Sequence, residues 1–420
     1  MLEKILRREN MEAAYRRVVQ NGGAPGVDGM TVEELGDYCR EHWPSVRSKL
    51  LSGTYVPQPV RRVEIPKPGG KGRRMLGIPT VLDRMIQQAL HQELTPIFDP
   101  TFSDASFGFR PGRSAQDAVL CARGYISAGL RWVVDLDLEA FFDRVQHDVL
   151  MARVARRVKD KQVLRLIRRY LQSGMMVEGA VSPRTEGTPQ GGPLSPLLSN
   201  VLLDDLDQEL ERRGHRFVRY ADDTRVFVRS ERAGSRVLAS LEQFLVKQLR
   251  LVVNREKSAV ARPWRSTFLG YSFTSNHRAR LRVPRDTVKR LKAKLRPILR
   301  RGRGRNLARV IAEVNRVLRG WVQYFRLSGV KAAFEELDVW IRRKLRCIVW
   351  RQWKTPRSRF RKLRARGVSP RKAARAAWGR DGPWASAGGS AINVALSNQE
   401  LVEMGLVSLL SEHRRLAGSA

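Results

Sequence analysis

Val133-Val134-Asp135-Leu136-Asp137-Leu138-Glu139-Ala140-Phe141-Phe142 is the stretch on which the fold turns. Trp132 to Asp137 reads as a strand, in which alternate residues share a face, so Asp135 and Asp137 point the same way. Asp137 falls where the strand pattern gives way to a helix predicted over Phe141–Val154, a place from which a side chain can reach a cleft. A second acidic site, Tyr220-Ala221-Asp222-Asp223, follows Phe217-Val218-Arg219 and precedes Thr224-Arg225-Val226-Phe227-Val228. Two β-prone runs meeting at adjacent aspartates, within His215–Val228, predict a hairpin with its carboxylates at the tip. Alone, an Asp-Asp pair in a turn is ordinary turn chemistry. Combined with Asp137 it fits phosphoryl transfer by two metals, which needs carboxylates from separate elements around ions roughly 3.5–4 Å apart. Magnesium takes such hard oxygen ligands and keeps water or substrate oxygens elsewhere. Carboxylates crowded this way repel one another unless a cation sits among them.

Around this centre the chain punctuates itself clearly. A helix is predicted over Glu3–Val19, ending at the breaker-rich loop Asn21-Gly22-Gly23-Ala24-Pro25-Gly26. Thr31 with Glu34 three residues on has the form of a capping box. Val63 and Ile65 lead into Pro66-Lys67-Pro68-Gly69-Gly70, and Leu76-Gly77-Ile78-Pro79 leaves it, which predicts an extended hairpin. A helix over Val81–Leu94 follows. In the last third, Ile311, Val314, Leu318, Trp321 and Phe325 recur at steps of three and four, while Arg309, Arg316 and Arg319 fall off the stripe. That is a core-facing helical stripe rather than a cofactor site.

The 420 residues are too many for one small core and point to two to four lobes. Hydrophobic residues make up 42% and charged residues 29%, the composition of a folded chain. Lys and Arg number 79 against 41 Asp and Glu, a net charge of +38. Such an excess favours a polyanion, because neutralising phosphates releases condensed counterions. No apolar run approaches the roughly 20 residues that span a bilayer, and the N-terminus lacks signal-peptide form. No membrane role is therefore expected, and a cytoplasmic location is. Cys39, Cys121 and Cys347 lie far apart without a CxxC pair, which speaks against a zinc finger or disulfide framework. No Asp or Glu lies between Asp338 and Asp381, whereas Arg, Lys, Trp350, Trp353, Phe360 and Trp378 are interspersed there. Phosphate binding is the expected use of that stretch.

In chain order these blocks resemble the reverse transcriptases encoded by group II introns, over nearly the whole length. Gly23-Ala24-Pro25-Gly26-Val27-Asp28-Gly29 resembles the N-terminal extension loop over the RNA template. Ile65-Pro66-Lys67-Pro68 with Arg73-Arg74-Met75-Leu76-Gly77-Ile78-Pro79 resembles the fingers hairpin, and Phe107-Gly108-Phe109-Arg110-Pro111-Gly112-Arg113-Ser114 the next block. Asp137–Phe142 is similar to polymerase motif A, and Thr188-Pro189-Gln190-Gly191-Gly192-Pro193-Leu194-Ser195-Pro196 to motif B. Tyr220–Asp223 is similar to motif C, Asn254–Ser258 to motif D, and Phe268-Leu269-Gly270-Tyr271 to the closing strand of the palm. Leu318-Arg319-Gly320-Trp321-Val322-Gln323-Tyr324-Phe325 resembles the thumb, or maturase X region. Each string alone is weak, but their ordered series is specific.

The resemblance implies an α+β right-hand polymerase: an antiparallel palm sheet, fingers, a helical thumb and a small basic C-terminal domain. The implied divisions are 1–125 for the N-terminal extension and fingers, 126–283 for the palm with part of the fingers, 284–352 for the thumb and 353–420 for the basic domain. The implied reaction is RNA-directed DNA synthesis, attack of a primer 3′-hydroxyl on the α-phosphate of a dNTP. Two Mg²⁺, with Mn²⁺ as a substitute, would be held by Asp137, the Leu138 backbone carbonyl, Asp222 and Asp223. Lys67 and either Arg73 or Arg74 would grip the triphosphate, the loop being one residue longer than the usual pattern. Gln190 and Gly191 would sit under the new base pair, and Phe142 would fill the space of a ribose 2′-hydroxyl, with Phe141 in the core. Lys257 resembles a general acid for the leaving pyrophosphate, although a phosphate or turn contact explains it equally well. Gly23, Pro25, Gly26, Arg110 and Arg113 would touch the template.

The implied partners are an RNA template, a DNA or RNA primer, dNTPs and the enzyme's own intron RNA, in a bacterial cytoplasm with nucleoid association. No Cys/His-bearing HNH endonuclease cluster appears before Ala420, so the resemblance is to the compact IIC-type or stand-alone form. The other readings are a host-adopted enzyme, for example in DNA repair, and an RNA-binding maturase acting mainly in splicing. An RNA-dependent RNA polymerase shares the palm logic, but Phe142 speaks against it.

Overall fold

The computed structural model describes residues 1–66, 72–177, 180–182 and 184–418. The chain forms two compact units, Met1–Pro263 and Trp264–Ala420. In the first, α1 (Leu2–Ile5), α2 (Arg8–Asn21) and α3 (Leu35–Leu51) precede the hairpin β1 (Val60–Pro66) and β2 (Arg73–Ile78). Next come α4 (Val81–Phe98), α5 (Ala115–Ser127), β3 (Trp132–Leu136), α6 (Phe141–Arg144), α7 (His147–Arg157) and α8 (Lys161–Gln172). The unit closes with β4 (Met175–Val177), β5 (Ala180–Ser182), α9 (Ser195–Arg212), β6 (Arg216–Tyr220), β7 (Asp223–Val228), α10 (Glu231–Phe244) and β8 (Ala259–Ala261).

These strands make two sheets. The order β6-β7-β3-β8 is antiparallel throughout and is the palm; the order β2-β1-β4-β5 is the fingers sheet, with β1 and β4 parallel. Val133 and Val134 are adjacent yet both fully buried, so β3 is covered on both faces. α10 packs against β3, and α5 against β6. α9 buries Leu198, Leu202, Leu203 and Leu206, each contributing about 2 kcal/mol by leaving water. Side-chain caps start several of the helices. Thr80 accepts from the Asp83 amide at α4, and Ser114 forms a full capping box with Asp117 at α5.

The second unit opens with the short pair β9 (Ser272–Phe273) and β10 (Leu281–Arg282), then α11 (Arg285–Arg301), α12 (Leu307–Tyr324) and α13 (Ala332–Gln352). Ile311, Val314, Leu318 and Phe325 are buried and Trp321 half-buried, while Arg309, Arg316 and Arg319 are exposed, as the stripe predicts. After them come α14 (Pro356–Arg364), α15 (Pro370–Trp378), α16 (Pro383–Ser386), α17 (Ser390–Ala395), α18 (Asn398–Glu403) and α19 (Leu409–Gly418). Polar ties fasten this tail to the long helices. Asp338 accepts from the amides of Leu409 and Leu410 at 2.8 and 3.2 Å, capping α19 from α13. Asn315 on α12 donates to the Gly405 carbonyl and accepts from the Val407 amide. Arg346 donates to the Leu396 carbonyl and to Asn398.

Three sequence expectations change. The predicted helix Glu3–Val19 is broken between Ile5 and Arg8, where Leu6 turns into the core and Asn10 donates to the Ile5 carbonyl. The capping box at Thr31 is half-formed: its amide donates to Glu34 at 2.8 Å, but α3 starts only at Leu35. The predicted helix Phe141–Val154 is interrupted at Val145-Gln146. There the Val145 carbonyl accepts from the Gly187 amide at 2.7 Å and Gln146 bridges Glu186, so a long-range pairing stands where the helix was predicted to continue.

Candidate active site

β3 and β7 pair with Asp135 opposite Arg225 and Leu136 opposite Thr224. Asp137 directly follows β3 and Asp223 is the first residue of β7, and the two carboxylates repel one another. Asp222 occupies the turn between β6 and β7, following Ala221 at φ 57°. Carboxylates from two elements distant in sequence therefore meet at one end of the palm sheet. Burial raises the Asp223 pKa to about 7 although 40% of its side chain stays accessible; repulsion from Asp135, Asp222 and Asp137 adds to this, against the pull of Arg225. Asp135 is raised by burial and by Asp137, again against Arg225.

The cations in this cluster are few. Arg225 pairs with Asp135 at 2.7 Å and stands 3.9 Å from Asp223, and the Lys257 Nζ lies 3.7 Å from Asp137. Among the described residues no three His, Cys, Asp or Glu side chains stand at coordinating distance of one point. The oxygen donors still suit hard divalent ions: Asp223 is pushed toward protonation by burial and, beyond that, by carboxylate neighbours whose repulsion an added cation would relieve. Asp137 is fixed through its backbone: its amide donates to Ser258 at 3.0 Å and its carbonyl accepts from Asn254 at 2.9 Å. The buried Leu138 bridges Val253.

Beneath the Asp222 turn lies a buried polar network. Arg219, fully buried, makes two hydrogen bonds to Asp207 through Nε and one of 2.5 Å through Nη2; it also donates to Asn200 and to the Ala221 carbonyl, at 2.8 and 2.9 Å. Asn200 in turn donates to the Gly108 carbonyl at 2.9 Å. A Cβ on Gly108 would lie 2.3 Å from the Ala221 amide nitrogen, so only glycine lets the 107–113 loop pass under the turn. The geometry of Asp222 is thus set by α9 and by a loop more than 100 residues upstream.

Phe142, Gln190 and Gly191 line one cavity of about 570 Å³, together with Gly22, Arg84 and Phe109. Phe142 projects from α6, with its ring edge-on to Phe141 at 5.1 Å; Phe141 itself is buried in the core. Gly191, at φ 144°, presses on the fingers, since a Cβ there would meet the Gly77 carbonyl at 2.7 Å. The Gly77 amide donates to the Gln190 carbonyl at 3.0 Å, tying β2 to this segment. The loop holding Gly23, Pro25 and Gly26 is anchored nearby. Arg84 donates to the carbonyls of Gly22 and Ala24, and Gly26 abuts the Thr80 backbone.

The remaining cations are placed differently from one another. Arg73 is exposed at the end of β2 and paired with Glu64 at 2.9 Å. The Arg74 backbone sits opposite Ile65, and the Arg74 side chain and Lys67 lie outside the described residues. Arg110 departs from the template role expected of it. Its side chain is 4% exposed and spends its donors on Asp99 and on the carbonyls of Ser103 and Ser106, so it braces the loop instead. Arg113 is held by Asp104 at 2.6 Å and stacks over Phe107. The sequence assigns no role to Arg225, Arg219, Asp207, Asn200 or Gly108. The signal for Arg225 was alternation along β7 opposite Asp135; nothing local marked Asp207 or Asn200.

An antiparallel sheet carrying acidic residues at the ends of two neighbouring strands, with a fingers hairpin packed on its glycine-rich loop, defines a polymerase palm of the right-hand class. Residues 65–273 match the family described as Reverse transcriptase (RNA-dependent DNA polymerase), and residues 288–367 match the Group II intron, maturase-specific domain. The chain belongs to the group II intron-type reverse transcriptases. It is 38% identical over 219 residues to Protein YkfC of Escherichia coli (strain K12), covering 51% of this chain and 57% of that protein. It is 37% identical over 204 residues to the Group II intron-encoded protein LtrA of Lactococcus lactis subsp. cremoris, covering 49% of this chain and 34% of that protein. The partial Cas6-RT-Cas1–Cas2 complex aligns with TM-score 0.39 and 25% identity over 59% of this chain and 42% of that one, a likeness too slight to argue from. Among the described residues no helix is long and apolar enough to cross a membrane.

Proposed function

We propose that the chain is an RNA-directed DNA polymerase that extends a primer 3′-hydroxyl with dNTPs. The observation that carries this is the meeting of Asp137 with Asp222 and Asp223 at the end of the palm sheet, where burial and then carboxylate repulsion raise the Asp223 pKa. Divalent metal, by this reading Mg²⁺ with Mn²⁺ as a substitute, would be held by Asp137, Asp222, Asp223 and the Leu138 carbonyl. When bound, the ions lower the pKa of the primer hydroxyl and neutralise the charge of the departing pyrophosphate. Lys257, 3.7 Å from Asp137, steadies that carboxylate and is placed to pass a proton to the pyrophosphate.

Phe142 excludes a ribose 2′-hydroxyl from the cavity it shares with Gln190 and Gly191, which back the nascent base pair. Arg73 reaches the triphosphate by exchanging Glu64 for it, with Lys67 and Arg74 on the same hairpin. The loop at Gly23, Pro25 and Gly26 lies along the template. In this reading residues 1–125 form the extension and fingers, 126–283 the palm, 284–352 the thumb and 353–420 a basic nucleic-acid-binding domain. The maturase-specific match at 288–367 favours a second role, binding of a group II intron RNA in splicing.

Primer extension by an Asp222→Asn protein tests the polymerase reading. Extension falls to background while RNA binding persists; extension at the parent rate would refute the assignment. Splicing assayed with the same variant separates the maturase role.

A further inference from the structure

We propose that the second unit holds a discrete pocket for unpaired RNA nucleotides, built by α11, α13 and α16. The proposal rests on the nucleic-acid reading above and goes beyond it in naming a site and a ligand form. A concavity of about 800 Å³ opens there. Arg296 and Arg300 from α11, with Lys344 and Arg351 from α13, line it. None of the four has a carboxylate within ion-pair distance among the described residues, and no acidic residue lines the cavity. Lys292, on the same helix as Arg296 and Arg300, does pair with a carboxylate, that of Glu336.

Beneath these charges the pocket is apolar. Leu299 and Ile348 are both 4% exposed and lie among its lining residues. Trp384 closes one side, with its indole held by Arg343 at 4.3 Å and by Lys344 at 4.6 Å. Pro297 lies inside α11 and has no N–H, so the carbonyl of Ala293, which also lines the pocket, has no helical donor four residues on. An apolar floor, an aromatic wall and four cations together match a nucleobase with its flanking phosphates. A duplex buries its bases in the stack and cannot fill such a slot, whereas loops and bulges of structured RNA offer splayed bases. A free phosphate would leave the apolar floor unused.

The test uses the full chain, an RNA hairpin with a two-nucleotide bulge, and the same stem without the bulge. Two variants are compared by anisotropy at fixed salt: Arg296→Gln/Arg300→Gln/Lys344→Gln/Arg351→Gln, and Ala293→Trp, which fills the exposed mouth without changing charge. The parent should prefer the bulged RNA by about tenfold, the scale of base stacking. Both variants should lose that preference with unchanged melting temperature. A parent without preference overturns the proposal, as does either variant that retains it, or a quadruple variant that weakens both RNAs equally. Extension of a short unstructured template should survive in both variants. A chain that extends no primer yet discriminates the bulge would sink the polymerase reading and leave the pocket standing.

Discussion

Replacing Arg219 by leucine leaves the Asp207 carboxylate buried without its counter-ion, a loss of about 3–5 kcal/mol readable in denaturant melts. The double variant Arg219→Leu/Asp207→Leu should recover most of that stability. It should not recover extension, because the Ala221 carbonyl still lacks the donor that fixes the turn before Asp222. Recovery of both would reduce the network to simple packing. Gly108→Ala puts a methyl 2.3 Å from the Ala221 nitrogen, costing about 1–3 kcal/mol as overpacking, and should slow extension more than RNA binding. Phe142→Ala opens the cavity on the ribose side. The rNTP-to-dNTP efficiency ratio in single-nucleotide incorporation should rise by about 10- to 200-fold, the scale on which a pocket reads small steric differences.

Among the elements, the palm hairpin was legible from local pattern alone, since β6 and β7 are short runs of β-prone residues around a turn. The helix after β3 was not. Its break at Val145-Gln146 exists because the strand-like stretch before Thr188 pairs there, and the Gly187 carbonyl lies 2.8 Å from the His147 ring. No periodicity within 141–154 records a partner 40 residues away. The capping of α19 by Asp338 is equally nonlocal, 70 residues from the helix it starts. Asp338→Ala should cost about 1–2 kcal/mol, as loss of a cap does. Hydrogen exchange at Leu409 and Leu410 should accelerate while the palm strands stay protected; uniform acceleration would mean that the second unit had unfolded instead.

At the scale of the molecule, the net charge of +38 makes binding to nucleic acid steeply dependent on salt. If six to ten phosphates are neutralised, affinity for RNA should fall by about 10³–10⁵ between 50 and 200 mM monovalent salt. A flat titration would contradict phosphate contact as the main source of affinity. The sequence by itself determined the sign of that charge, the strand-and-turn character of the acidic segments and the order of the blocks, since composition and short-range periodicity are written locally. The tertiary structure alone decided that Asp135 and Arg225 join the carboxylate cluster, that Arg110 turns inward while Arg73 stays on the surface beside Glu64, and that Arg219 and Gly108 shape the Asp222 turn. Those outcomes depend on contacts between separate segments, from Arg73 with Glu64 to Gly108 with the Ala221 backbone, where strand register, burial and competition for hydrogen-bond partners are settled only when the chain closes on itself.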